Sequence, residues 1–211
     1  MTKFNYHLNQ LSLLIALSLF VFPFEPLQTA NTSFLSNQIE FKKTSYTTYG
    51  KDNEGMTLKS EEGYINLDNQ NIHLIGNVEA RFKLDGEIYS IKSDSLTSNL
   101  LSKSVFSKEK TLFESNGIEV VASSMEMTQI QEEGMKVLFR NANFDKLNPG
   151  SRVSKGKANK IELILEKDLI LMQGNAELYE DEMKIISDVI HYDLNEDRIL
   201  KSLNAKIINN L

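Results

Sequence analysis

The sequence has no cysteine, and only three histidines and three prolines among its 211 residues. Without cysteine there can be no disulfide, thiolate metal site or cysteine nucleophile, whatever the redox compartment. The histidines, His7, His73 and His191, are too scattered to pair as ligands on one helix or strand, so no metal site is indicated. Positive charge is also scarce: 23 Lys and Arg stand against 29 Asp and Glu, a net charge of -6. Holding nucleic acid by neutralising its phosphates requires the opposite sign, so nucleic acid is not an expected partner. There is no Gly-x-Ser-x-Gly elbow, phosphate loop or His-Glu-x-x-His motif. Acidic residues such as Asp94, Asp188, Glu132 and Glu133 show no spacing of a catalytic dyad and read as solvated surface. Neither an enzyme nor a cofactor is expected.

Long apolar runs are confined to one place. Leu11 to Phe24 reads LSLLIALSLFVFPF, with Lys3 before it and Glu25 and Pro26 after it. As a helix these residues would cover about 21 Å of a hydrocarbon core about 30 Å thick, which suits an export signal better than a full span. Cleavage after Ala30 is one outcome, although Gln28 is large for such a site. The other is an uncleaved inner-membrane anchor over residues 8–27. In either case the chain from about Asn31 onward is expected outside the cytoplasm. At 41% hydrophobic and 25% charged, it has an ordinary globular composition. At roughly 150 residues per domain, its length allows one elongated domain or two small ones.

From Ile39 onward, short segments rich in β-branched and aromatic residues alternate with polar ones, the pattern of strands. The clearest runs from Ile72 to Phe82, with Ile72, Leu74, Val78, Ala80 and Phe82 on one face and His73, Asn77, Glu79 and Arg81 on the other. Lys83-Leu84-Asp85-Gly86 then predicts a hairpin into a strand near Ile88. Further breaks fall at Asp52–Gly55, Asp68–Asn71, Glu132–Gly134 and Asn148–Gly150. Pro149 is the only proline after Pro26, so ladder hydrogen bonds can run almost uninterrupted on either side of it. Asn148-Pro149-Gly150 is the best internal boundary.

The chain also repeats itself. Leu74-Ile75-Gly76-Asn77-Val78-Glu79-Ala80 is answered by Met172-Gln173-Gly174-Asn175-Ala176-Glu177-Leu178, and Ser93-Asp94 by Ser187-Asp188. Upstream, Ile65 and Leu67 correspond to Leu163 and Leu165. Each unit is strand, turn, Gly-Asn strand, turn, Ser-Asp strand, and its one apolar face cannot be buried alone. A rolled, two-sheet antiparallel structure is expected. Gly76 and Gly174 predict bulges or tight bends, and the apolar stripes suit either a packed core or a greasy groove.

These residues resemble the periplasmic components of the lipopolysaccharide-export (Lpt) machinery, the OstA-like family. The apolar-Gly-Asn-apolar strands and the Ser-Asp strands that follow carry the likeness. Residues 59–144 look like LptC, the membrane-anchored member, while 157–211 look more like LptA, the soluble bridge. The resemblance implies an all-β fold: an open β-jellyroll preceded by the signal or anchor helix of residues 1–30, with an LptC-like part over 31–148 and an LptA-like part over 149–211. It implies lipopolysaccharide as ligand, edge-strand pairing with other export components, and an ATP-driven inner-membrane transporter as energy source. The groove would be lined by Ile72, Leu74, Val78, Ala80, Phe82 and Ile91 in the first copy. In the second, Leu163, Leu165, Ile170, Met172, Leu178 and Ile185 would line it. The alternative is a structural envelope roll with a filled core and no lipid cargo.

Overall fold

The computed structural model describes residues 37–49, 55–84, 87–99, 102, 104–115, 117–130, 134–146, 154–180 and 182–209. The apolar amino-terminal segment and its cleavage or anchoring therefore lie outside the described residues. Among those residues no helix is long and apolar enough to cross a membrane.

The chain forms fourteen strands: β1 (Gln38–Tyr49), β2 (Gly55–Asn66), β3 (Asn71–Leu84), β4 (Glu87–Asn99), β5 (Ser104–Ser107), β6 (Thr111–Ser115) and β7 (Ile118–Ala122). Then follow β8 (Ser124–Ile130), β9 (Gly134–Lys146), β10 (Ser154–Ile164), β11 (Leu169–Glu180), β12 (Met183–Asp193), β13 (Arg198–Leu203) and β14 (Lys206–Asn209). All belong to one antiparallel sheet in meander order, in which β5 with β6, β7 with β8, and β13 with β14 each act as one interrupted long strand. The expected hairpin forms, with Leu84 opposite Glu87. β9 pairs with β10 from Asp145 and Lys155 onward, so hydrogen bonding continues on both sides of the Asn148–Gly150 break.

The sheet is bent along a line marked by left-handed residues on β1, β3, β9 and β11 and at the β13–β14 junction. On β3, Gly76 (φ 77°) and Asn77 (φ 45°) together oppose one position of β4, because Ile75 pairs with Ser95 and Val78 with Ser93. On β11, Gly174 (φ 74°) and Asn175 (φ 50°) do the same between the Gln173–Val189 and Ala176–Ser187 pairs. These are bulges that re-aim the strand, and glycine or asparagine tolerates the left-handed backbone they need. Lys43 (φ 48°), Asn141 (φ 45°) and Asn204 (φ 55°) continue the line across β1, β9 and the β13–β14 junction. Side chains stitch it: Asn77 Nδ2 donates to Glu61 Oε1 at 2.5 Å, Asn141 Nδ2 to Ser123 Oγ at 3.3 Å, and Asn204 Nδ2 to Asp188 Oδ2 at 2.6 Å. The Gly-Asn and Ser-Asp motifs of the repeat are thus the crease of the roll.

The crease divides the sheet into two half-sheets that share one hydrophobic core. Phe113 of β6 meets Phe139 of β9 edge to face, with centroids 5.4 Å apart, so the two sides touch through the interior. Alternation puts charge outside, and the outside repeats as well. Lys59 Nζ bonds Glu79 at 3.3 Å in the first copy, and Lys157 Nζ bonds Glu177 at 3.1 Å at the matching place in the second.

Candidate lipid groove

The inner face is built by period-two alternation on the long strands. Ile72, Leu74, Val78 and Ala80 of β3, Ile91 of β4, Leu163 of β10, Ile170, Met172 and Leu178 of β11, and Ile185 of β12 all lie buried in one cluster. Phe82 is half-buried against it. Leu165 is not on a strand, and neither is Leu67, its counterpart, which opens the turn after β2. It opens a short 3-10 turn, Leu165–Lys167, and packs on the core from there. The structure therefore gathers both stripes, distant in sequence, onto one interior.

Several interior residues escaped the reading of the repeat. Tyr89, Phe113 and Phe139 extend a chain of rings along the inside from Phe82, with successive centroids 5.1, 6.3 and 5.4 Å apart. Phe144, Ile161 and Ile190 are also fully buried. The signal was present as alternation in Met135-Lys136-Val137 and Ala142-Asn143-Phe144, but those segments lack the Gly-Asn mark that drew attention to β3 and β11.

Among the described residues, nothing caps the interior face at either edge of the sheet. β1 has β2 as its only neighbour among the described residues, and β13 and β14 have only β12. Ile39 pairs across to Ile65 and so to Ile72 on the inner face, yet it is 51% exposed. Ile207 pairs with inward Ile185 and is 63% exposed. Among the described residues, apolar inner surface thus runs to both edge strands, whose outer backbone groups another strand can use.

Outside, the electrostatics are those of a solvated charged face. Glu177 accepts from Tyr179 Oη, from Lys184 Nζ at 2.9 Å and from Lys157 Nζ at 3.1 Å. The tyrosine bond first, then the lysines, hold its carboxyl down to about 2. His73, on the outer face of β3, stacks on Tyr64 at 4.5 Å and bonds Thr97 at 2.9 Å, and partial burial lowers its pKa. Lys59, Lys157 and Lys184 on the outer face are engaged by carboxylates, and the apolar interior is the surface suited to lipid acyl chains.

Comparison with known proteins agrees with this architecture. Residues 32–135 match the lipopolysaccharide-assembly, LptC-related family. Residues 90–198, more than half of the chain, match the LptA/(LptD N-terminal domain) lipopolysaccharide transport protein family. No individually curated protein matches. Among solved structures, the chain is similar in fold to LptH from Pseudomonas aeruginosa, described as the LptA homologous periplasmic component of the lipopolysaccharide transport device. That likeness has a TM-score of 0.51 at 10% identity, over 57% of this chain and 93% of the other. A creased, edge-open antiparallel roll with these matches is a lipopolysaccharide transport component, and the chain belongs to the LptA/(LptD N-terminal domain) family, with an LptC-related amino-terminal part.

Proposed function

We propose that the roll carries lipopolysaccharide by holding its acyl chains against the apolar inner face and passing them from the inner towards the outer membrane, without catalysis. The observation that carries this reading is the inner face itself, continuous between half-sheets and exposed at Ile39 and Ile207 on the edge strands. A partner strand added at either edge would extend both the hydrogen-bonded sheet and the apolar track. Burial of acyl methylenes, at about 0.8 kcal/mol each, supplies affinity without any contact to the phosphates. Transport of that lipid against its preference for the membrane needs an external energy source, here an ATP-driven inner-membrane transporter. Residues 1–30 serve as export signal or inner-membrane anchor, with 31–148 and 149–211 as the two parts of one roll in the periplasm. A structural roll without cargo is not favoured by the family.

The test is photocrosslinking in cells with a small aliphatic diazirine side chain at Leu74, inside, and at His73, outside. Lipopolysaccharide adducts at Leu74 and none at His73 are expected. No adduct at Leu74 in a folded protein would leave the inner face as ordinary core and overturn the reading.

A further inference from the structure

The two copies of the repeat differ at the mouth of the roll, where the half-sheets meet opposite the crease. On one side of the mouth, β9 and β10 bring the polar residues Lys146 and Ser154 to their inward-facing ends, both buried. From the other side, Tyr192 at the end of β12 and Asp197 in the turn after it reach across. Lys146 Nζ donates to Leu194 O at 2.5 Å and to the Asp197 carboxylate. Tyr192 Oη bonds Asp197 Oδ1 at 3.2 Å and Ser154 Oγ at 2.8 Å. Lys146 is only 3% exposed, so this is an ion pair drawn out of water across the opening, a clasp rather than a rim.

Among the described residues the first copy shows no counterpart. The cross-strand pair Ser154–Glu180 on β10 and β11 corresponds to Met56–Phe82 on β2 and β3, and Tyr192 corresponds to Ser98. Where the second copy places groups that bind each other across the mouth, the first has residues that cannot form this network. Phe82 there is only half-buried.

We propose that the clasp shuts the carboxy-terminal half of the groove against acyl chains, that the amino-terminal half takes them first, and that release of Lys146 from Asp197 opens the rest. This rests on the lipid-carrying reading above and names its control point. A buried ion pair suits such a role. The cost of desolvating its charges nearly cancels their attraction, so opening it to water forfeits little, whereas an apolar seam would have to expose its whole area. Asp197 is the acceptor that Lys146 and Tyr192 share, so losing it removes the ion pair and leaves only the Lys146–Leu194 and Tyr192–Ser154 bonds across the mouth.

The full chain, incubated with purified lipopolysaccharide, would carry the diazirine at Leu74 or at Met172, which is fully buried beneath the clasped half. Strong adducts at Leu74 and several-fold weaker ones at Met172 are expected. Asp197→Asn should raise the Met172 yield several-fold. Tyr192→Phe keeps the ring in the core and removes only its hydroxyl, so it should raise that yield more modestly in a chain that still folds. Equal yields at both positions in the unaltered protein, or a Met172 yield unmoved by either variant, would overturn the clasp while leaving lipid carriage intact. No adduct at either position would instead remove the lipid-carrying reading, and the clasp with it.

Discussion

Gly156 lies beneath the ring of Phe144: a Cβ placed there would strike Phe144 Cε1 and approach Met172 Sδ to 3.0 Å. Gly156 and Phe144 face each other on neighbouring strands, while Met172 comes from the part of β11 beyond the crease. The missing side chain is therefore what lets the two half-sheets close. Gly156→Ala should overpack this point and cost about 1–3 kcal/mol. The urea unfolding midpoint checks it, and a midpoint equal to that of the unaltered chain would show that the half-sheets have slack.

The crease makes a second demand. Gly76 has φ 77°, and a Cβ there would sit 2.5 Å from Glu61 Oε2. Gly76→Ala combines backbone strain with that collision and should cost about 1–3 kcal/mol. Asn77→Gly, one residue on, relieves a left-handed backbone at φ 45° and loses one exposed bond to Glu61, so it should stay within about 0.5 kcal/mol. Thermal unfolding of the two variants side by side separates a backbone requirement from a side-chain one.

Glu177 gives the roll an acid limit. Its carboxyl is held down to about 2, against 4.5 for the ordinary group, by the bond from Tyr179 first and those from Lys184 and Lys157 next. A carboxyl whose folded value is depressed stabilises the fold above its unfolded value and loses that contribution as pH falls through its folded value. This contribution should therefore fade between 4.5 and about 2. Glu177→Gln should lower stability near neutrality and flatten the decline across that window, measured as urea midpoints against pH.

The Tyr192 hydroxyl is pushed up by burial, the largest cause, and further by the nearby Glu180 and Asp197 carboxylates, against the bond to Ser154. A tyrosine whose folded value is raised keeps its contribution below its ordinary value near 10 and loses it as pH climbs. Ultraviolet titration should show one tyrosine resisting ionisation until the chain unfolds. Tyr192→Phe should abolish that late component. It also leaves the Ser154 hydroxyl, fully buried, without its Tyr192 partner, at a cost of about 1–3 kcal/mol.

Much of this protein was legible in its residues. Alternation fixes which side chains of β3 and β11 point inward, because side-chain direction on a strand follows parity alone. The Gly-Asn pairs announced irregularity, since glycine and asparagine accept a left-handed backbone inside a strand at the least cost. The turn signal at Asp68-Asn69-Gln70 falls between β2 and β3, because its residues favour turns over ladders.

What the sequence could not contain is the relation between distant strands. That the bulges of β3 and β11 join Lys43, Asn141 and Asn204 in one crease depends on the register of every strand between them, and register is set by pairing over the whole sheet. Leu165 looked like one more strand position and turned out to open a 3-10 turn, because Asp168 adopts a left-handed backbone and turns the chain there. The clasp was wholly hidden. Lys146 and Asp197 lie 51 residues apart and carry no motif, and only the folding of one half-sheet onto the other brings a lysine and an aspartate face to face out of water. Local chemistry determined the strands, their faces and their bends, whereas closure across the interior decided which residues meet, because contacts between half-sheets follow from the assembled sheet and not from any segment of it.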